Sequence, residues 1–349
     1  MSEKKLILNA DDFGRHELIN QAVERGVTQG YLRSATLMPG EPCFDGAVAL
    51  AKAHPELGVG IHFTLVDGHP VLPPAEIPSL VTAEGKFYPQ HNAFVKAYLT
   101  GKIDLADVRR ELTAQLDKFL AAGLVPTHAD SHQHIHILPG IFPVVLDILA
   151  AKGIYRVRIP KVHAALGAFF SGGLADIIGR LGLWTLAAVG KAQARGRGFA
   201  TPAFFAGKVA GDAVDEQFLL ELAQDFPPGV TEVMLHPGME NETLAQISGW
   251  DHDYTAEYQA SCSAAVGKLL QENDIEPVNY NAVVPVLPLL AFQRGGRYAR
   301  RLFLYSCPHL LRWGTFSCLV IRPCKILAER GFFLRILCTT QGFCDTLKL

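Results

Sequence analysis

Short apolar runs alternate with amphipathic stretches along most of the chain. Lys5–Asn9 is the first apolar run, and Glu17–Val27 follows it with its apolar residues on one helical stripe. Leu105–Leu120 is the clearest helical stretch, because its apolar residues recur at intervals of three and four. The pattern therefore predicts repeated units of a β-strand followed by an α-helix.

The predicted units continue as far as residue 280. The further predicted strands are Ala35–Met38, Val59–Leu65, Pro126–Asp130, Arg156–Ile159, Thr231–Leu235 and Val278–Tyr280. The further predicted helices are Phe44–Ala53, Ile141–Lys152, Ala165–Ala194, Glu216–Ala223 and Ala256–Glu272. About seven or eight such units in roughly 280 residues favour a TIM-like, distorted β/α barrel with parallel strands. An open doubly wound sheet is the alternative, although no GxGxxG motif follows the first strand.

Composition divides the chain into two parts. Its 349 residues are 49% hydrophobic with a net charge of −2, which suits a globular enzyme and gives no basic field for nucleic acid. The segment from Arg294 to the end holds ten Lys or Arg against two Asp or Glu, and five of the seven cysteines. We therefore predict a single catalytic domain over residues 1–293 and an atypical, basic, Cys-rich extension over 294–349. The N-terminal apolar run is too short for a signal peptide, which predicts a cytoplasmic protein.

Two adjacent aspartates follow the first predicted strand, at the edge where the active site of a parallel barrel forms. Asp11 and Asp12 repel each other unless a cation or hydrogen-bond donors are near. One carboxylate can bind a metal ion while the other acts on a water molecule. Alternatively, the pair caps the positive end of the next helix.

Histidines gather on the third and fourth predicted strands. His62 alone is typical of a satisfied core residue, but the segment 130–136 (DSHQHIH) changes this interpretation. Alternate residues share one face of an extended chain. An extended chain would therefore place on one face the residues at every second position from 128 to 136, which are His128, Asp130, His132, His134 and His136. A metal site needs one or two of these histidines, and the others can support the ligands or contact a substrate. A His-rich loop with incidental metal affinity is the alternative.

Two further polar residues lie at predicted strand ends. His236 precedes Pro237-Gly238, which fix the turn and present the imidazole rigidly, as suits a general acid. Arg158 can steer an aspartate or bind substrate. A turn histidine without a role and a simple strand-end salt bridge are the alternatives.

As a set, these motifs resemble the YdjC-like carbohydrate deacetylases, a family that includes the chitooligosaccharide deacetylase ChbG. The resemblance rests on NADDFG at 9–14, the His62 strand, DSHxHxH at 130–136 and the late His-Pro-Gly, and it spans residues 4 to about 283. Residues 68–87 resemble most closely the hopanoid-biosynthesis-associated HpnK branch, which is understood to deacetylate an N-acetylglucosaminyl hopanoid lipid. The segment after Arg294 has no counterpart in the family.

The resemblance implies a TIM-like barrel, one divalent metal ion and removal of the acetyl group from an N-acetylated amino sugar. It implies Asp12, His62 and His132 as metal ligands. It also implies Asp11 as general base and, by analogy with polysaccharide deacetylases, His236 as general acid. Arg158, Asp130, His134 and His136 are expected to contact the substrate or to support the ligands. Two imidazoles and a carboxylate favour zinc over magnesium, although the resemblance allows magnesium.

Two other functions stay open from the sequence alone. A metal-dependent sugar isomerase on the same barrel needs a second acid–base pair near the metal and usually more carboxylate ligands, and the sequence has few acidic strand ends beyond Asp11, Asp12 and Asp130. A noncatalytic carbohydrate- or metal-binding protein has no use for the second aspartate. The expected partner is an amino-sugar or glycolipid substrate and not a nucleic acid; peripheral membrane contact through the basic extension and a homodimer are further expectations.

Overall fold

The computed structural model describes residues 3–161, 174–207 and 213–285, together with the short segments 333–335 and 346–348. The chain divides into two compact units, residues 1–288 and 289–349. The second unit contains a two-stranded antiparallel pair, Phe333–Arg335 with Thr346–Lys348. The rest of the predicted extension, and the part of the predicted helix Ala165–Ala194 before residue 174, lie outside the described residues.

The first unit is built on a parallel sheet of seven strands. They are β1 (Lys4–Phe13), β2 (Ser34–Leu37), β3 (Gly58–Phe63), β4 (Ala129–Ser131), β5 (Phe204–Ala206), β6 (Gly229–Leu235) and β7 (Ile275–Pro277). The strand order is β4-β3-β2-β1-β6-β5, and β7 pairs with the first residues of β1. The alternation of strand-like and helix-like segments predicted this parallel arrangement, because a helical segment rather than a tight turn joins each strand to the next.

The sheet curls instead of lying flat. Single parallel bridges join Val157 to Ala129 of β4 and Arg156 to Ala200, which precedes β5. These bridges bring the two ends of the sheet toward each other, so the fold is a curled, half-barrel form of the predicted TIM-like arrangement. The predicted strand Arg156–Ile159 is reduced to these bridges. The prediction of a strand at Val278–Tyr280 is wrong, because β7 ends at Pro277 and Tyr280–Ala282 forms a turn of 3₁₀ helix.

Ten α-helices surround the sheet in the described residues. They are α1 (Glu17–Gln29), α2 (Phe44–Ala53), α3 (His91–Leu99), α4 (Leu105–Ala121), α5 (Ile141–Ala151), α6 (Leu174–Gly196), α7 (Glu216–Gln224), α8 (Asn241–Ser248), α9 (Tyr254–Ser261) and α10 (Ala264–Glu272). The α4 helix begins where the Asp104 carboxylate accepts a hydrogen bond from the Ala106 N–H at 2.8 Å. Most of its predicted apolar stripe is buried, since Val108, Leu112 and Leu116 have no exposed surface, whereas Leu105 at the start of the helix is 38% exposed. None of the helices described in the structure is long and apolar enough to cross a membrane.

Candidate active site

A β-bulge turns the end of β1 and separates the two aspartates. The pairing of β1 with β2 shifts register between Ala10 and Phe13, and Asp12 has a left-handed backbone with φ of 60°. Bulges commonly redirect side chains beside active sites, and a left-handed residue other than glycine carries a cost of about 1–3 kcal/mol. This local geometry lets adjacent residues reach different partners, so the pair is more than a helix cap.

Asp12 lies together with His62 and His132, as sequence analysis predicted. Asp12 Oδ1 is 3.3 Å from His62 Nε2 and 2.9 Å from His132 Nδ1. All three residues are buried. Ligand atoms that share one tetrahedral ion are about 3.4 Å apart, given metal–nitrogen and metal–oxygen bonds of about 2.0–2.2 Å. The three side chains therefore have the spacing that a divalent metal requires.

Two atoms of this triad lack hydrogen bonds, which fits a metal better than a simple polar cluster. Asp12 Oδ1 lies close to both histidines, yet neither Asp12 Oδ1 nor His62 Nε2, both buried, forms a hydrogen bond of normal geometry in the described part of the chain. Unpaired buried polar atoms are rare in folded proteins. The other ring nitrogen of His62 lies 2.7 Å from Asp130 Oδ1, an arrangement that fixes the ring of a metal-ligating histidine.

Charge interactions in the triad favour the ionised carboxylate. Burial alone raises the pKa of Asp12, but His132 and His62 together hold that pKa well below its ordinary value. Burial likewise lowers the pKa of His62, yet the Asp130 and Asp12 carboxylates raise it to about 10. Protons and a metal ion therefore compete for the same nitrogen atoms, as is usual for histidine ligands.

Asp11 lies next to the triad, and its carboxylate is held by Arg158. The guanidinium donates two hydrogen bonds, from Nη1 to Asp11 Oδ2 at 2.6 Å and from Nη2 to Asp11 Oδ1 at 2.7 Å. The Asn9 amide donates a third, to Asp11 Oδ1 at 2.8 Å. A bidentate arginine fixes the plane and charge of a carboxylate. Asp11 is thus an oriented carboxylate next to the triad and not one of its three members.

Arg158 also contacts two other buried carboxylates. Its Nη1 lies 2.6 Å from Asp130 Oδ2, and its Nε donates to Glu232 Oε1 at 2.8 Å. Burial raises the pKa of Glu232 to about 7, although Arg158 and Tyr280 act against that rise. Arg158 has no exposed surface. Its position therefore supports both Asp11 and, through Asp130, the His62 ligand.

An arginine and a fourth aspartate lie at the rim of the triad. Arg15 Nη2 donates to Asp67 Oδ2 at 2.9 Å, while its Nη1 lies 3.2 Å from His132 Nε2. Asp67 Oδ2 is also 3.3 Å from that same nitrogen of His132. These contacts hold the His132 ring from its outer side.

His236 follows β6, whose Leu235 pairs with Ala10 of β1. His236 and Asp11 therefore leave neighbouring strands at the same edge of the sheet. The His236 side chain is 15% exposed, and its backbone N–H donates to the Glu257 carboxylate. Burial lowers the pKa of His236, and the Glu257 carboxylate opposes that shift. Burial makes the protonated imidazole a stronger acid, and the Glu257 carboxylate helps it to keep the proton until a leaving group takes it.

The remaining histidines of the 128–136 segment do not share one face, so that prediction is wrong. The chain leaves the extended conformation at His132, and Gln133 and His134 have left-handed backbones within a 3₁₀ turn over His132–Ile137. His136 contacts the Ser131 hydroxyl at 2.6 Å and the Arg158 carbonyl at 3.0 Å. His134 packs edge-on to His136 and Phe205, and His128 stacks on Tyr280 at 3.4 Å.

Comparison with known proteins identifies the family of this chain. Residues 5–272 match the model of a family described as YdjC-like protein. The chain belongs to the YdjC-like family. The YdjC-like chain is 32% identical to a carbohydrate deacetylase of Brevibacillus brevis over 278 residues, which are 79% of this chain and 98% of that protein. A carbohydrate deacetylase of Geobacillus stearothermophilus is 45% identical over 159 residues, or 46% of this chain and 60% of that protein.

A solved structure has the same fold as this YdjC-like chain. It comes from Enterococcus faecalis V583 and is described as a candidate cellobiose-phosphate cleavage protein. The two chains are 27% identical, with a TM-score of 0.63, and the match covers 80% of this chain and 99% of the other. The curled sheet is therefore shared by a crystal structure of a related protein.

Titration of Glu232 predicts a pH-dependent stability for this YdjC-like chain. Its pKa is about 7 in the folded protein against an ordinary 4.5, so the folded state holds this proton more tightly than the unfolded state does. The resulting stabilisation is present below pH 4.5 and is lost as the pH rises through about 7. The Glu232→Gln variant mimics the protonated form. Between pH 4.5 and 7.5, the free energy of unfolding of wild type should fall by about 1–3 kcal/mol relative to Glu232→Gln.

Urea unfolding at both pH values measures this difference. The Glu242→Gln variant is the control, because residue 242 is an exposed glutamate on α8. It should track wild type at both pH values. A difference between wild type and Glu232→Gln that does not change with pH would show that Glu232 stays ionised throughout.

Proposed function

We propose that the chain removes the N-acetyl group from an N-acetylated amino sugar by metal-dependent hydrolysis. One observation carries the proposal: the triad of Asp12, His62 and His132 has unpaired buried ligand atoms, and the oriented carboxylate of Asp11 lies beside it. The curated relatives are carbohydrate deacetylases, which supports the substrate class. Zinc suits two imidazoles and one carboxylate best, and magnesium is the second candidate.

The proposed roles follow from where each side chain lies. A divalent ion bound by the triad would lower the pKa of a water molecule and polarise the acetamide carbonyl. Asp11, held by Arg158, takes a proton from the attacking water. His236 donates a proton to the nitrogen atom as the carbon–nitrogen bond breaks. Water adds to the acetyl carbon, and the products are acetate and a free amine.

The surroundings favour this reaction over a sugar isomerase. Asp11 and Asp130 are both paired with Arg158, so either one would have to give up that ion pair to add a carboxylate to the metal ligands. Asp130 and Arg158, both predicted from the sequence, therefore hold the His62 ligand and Asp11 in place. His136, also predicted, contacts the Arg158 carbonyl and so helps to fix the backbone there. A binding protein without catalysis would not need a separately oriented Asp11.

Substrate choice gives the next prediction. The likeness of residues 68–87 to the hopanoid-associated branch leads us to expect that an N-acetylglucosaminyl lipid is deacetylated at least about tenfold faster than diacetylchitobiose. One well-packed apolar contact is worth that factor in specificity. Acetate release from each substrate, at equal concentration and with metal added, measures the ratio. Efficient turnover of diacetylchitobiose with none of the glycolipid would overturn the lipid assignment but leave the deacetylase reaction in place.

The segment after Arg294 is expected to be dispensable for catalysis. All proposed site residues precede it, and the family match ends at residue 272. A chain truncated after Arg294 should release acetate from a soluble substrate at the full-length rate, within about twofold, and should be more soluble because free thiols and apolar residues are removed.

Two results would argue against this expectation. A truncated chain that fails to fold, or that loses activity on the soluble substrate, would make the extension part of the catalytic domain. Loss of activity on vesicle-embedded glycolipid alone would instead assign the basic extension to attachment at a membrane surface.

A further inference from the structure

A second group of metal-ligating side chains lies outside the Asp12 triad. His236, His252 and Glu257 offer ligand atoms that all lie within 4.8 Å of one another. His252 Nε2 is 3.2 Å from Glu257 Oε1, and His236 Nδ1 is 4.0 Å from Glu257 Oε2. Ligand atoms on one tetrahedral zinc ion are about 3.4 Å apart. Small side-chain rotations would therefore bring these atoms onto one ion.

His252 carries the second, independent observation. Its side chain is 1% exposed, and neither of its ring nitrogens forms a hydrogen bond with the described residues. Nδ1 has no polar partner among these residues, and Nε2 only faces Glu257 Oε1 at 3.2 Å. A buried imidazole without a hydrogen bond is costly, and a metal ion is one of the few occupants that satisfies it. The deacetylation roles proposed above make no use of His252.

Neighbouring groups fix the positions of these three side chains. The Trp250 indole stacks on the His252 ring with centroids 3.9 Å apart. The Glu257 carboxylate accepts hydrogen bonds from the backbone N–H groups of Val214, at 2.7 Å, and of His236. Metal ligands are typically fixed in this way by outer contacts. Two imidazoles and a carboxylate are also a common donor set for zinc, with a fourth position left open.

We propose that His236, His252 and Glu257 form a second divalent-metal site that prefers zinc, and that filling this site inhibits the enzyme. A ring nitrogen bound to a metal cannot carry a proton. His236 bound through Nδ1 therefore cannot form the imidazolium that gives its proton to the leaving amine. The inhibition rests on the proposed function, whereas the binding site does not.

Zinc content tests the site directly. Full-length protein is stripped with chelator and dialysed against Zn²⁺, and bound zinc is measured by atomic emission. His252→Phe keeps an aromatic ring against Trp250 and should bind one zinc fewer than wild type. Glu257→Gln keeps the side-chain volume and should show the same loss. His91→Ala removes an exposed histidine at the start of α3 and should bind as much zinc as wild type.

Activity during the same titration tests the inhibition. Acetate release by wild type should rise as the first zinc binds and fall by about 10²-fold as the second binds, the scale of a lost general acid. His252→Phe should show the rise without the fall. Equal zinc in wild type, His252→Phe and Glu257→Gln would overturn the site, and zinc loss with unchanged inhibition would overturn its inhibitory role. Loss of one zinc in both variants, with no acetate released by wild type at any zinc level, would support the site and count against the proposed function instead.

Discussion

The His132→Ala variant is expected to lose its stoichiometric metal ion and at least about 10³-fold in kcat/KM. The substitution removes the imidazole whose Nδ1 lies 2.9 Å from Asp12 Oδ1. Two ligands hold a divalent ion much more weakly than three, and the bound ion supplies several kcal/mol of transition-state stabilisation. His132 lies at the start of a turn after β4, so the fold should survive its truncation. Metal analysis of the purified variant and acetate release together measure the effect.

The neighbouring residue provides a matched control. Gln133 is exposed and has a left-handed backbone with φ of 50°, which glycine adopts freely. Its side-chain amide makes only a long contact, 3.4 Å, with His132 Nε2, the ring nitrogen that does not face Asp12. Gln133→Gly should therefore keep both the metal and the activity. An His132→Ala protein with full metal content and wild-type turnover would exclude His132 as a ligand.

The second large effect separates the two aspartates. Asp11→Asn should keep the metal and lose about 10²–10⁴-fold in kcat, the usual contribution of a general base, because an amide still accepts from Arg158 but cannot take a proton. Asp12→Asn should lose both the metal and the activity, since Asp12 Oδ1 lies between the two histidines. Bound metal and single-turnover rates of the two variants give the comparison.

Circular dichroism of both variants checks that each is folded. Asn at position 11 keeps the volume of the side chain beside Arg158, so that variant also controls for packing. Equal loss of metal from Asp11→Asn and Asp12→Asn would mean that both carboxylates are ligands and that the base lies elsewhere.

The gathering of the triad could be predicted because parallel strands end at one edge of a sheet. Asp12 lies in the last residues of β1, His62 lies at the end of β3, and His132 follows β4. The β-then-α alternation already implied that these strand ends meet. The same argument brought His236 to that edge. Assigning a role to each residue needed the family resemblance, because strand order alone does not distinguish a ligand from a support.

Other parts of the site were beyond sequence reasoning. Arg15, Asp67 and Glu257 come from loops and a helix, where no periodicity marks the residues that will meet in space. Glu232 did carry a signal, as a charged residue inside the predicted strand Thr231–Leu235. The prediction from the alternating histidines is wrong because alternate residues share a face only while the chain is extended, and the left-handed residues Gln133 and His134 end that conformation.

The elements that the sequence pattern failed to predict are short. Strand β5 has three residues and was not predicted, and helices α3 and α8 were likewise missed. Short elements bury few residues, so tertiary contacts rather than local pattern decide whether they form.

The most direct test of the central claim is the product balance of chelator-stripped and metal-restored enzyme on an N-acetylglucosaminyl substrate. Stripped enzyme should release no acetate above background. Enzyme with about one equivalent of zinc or magnesium should release acetate and free amine in equal amounts, and Asp12→Asn should stay inactive under both conditions. Acetate release at the same rate with and without metal, or metal-restored enzyme that releases none, would contradict the account.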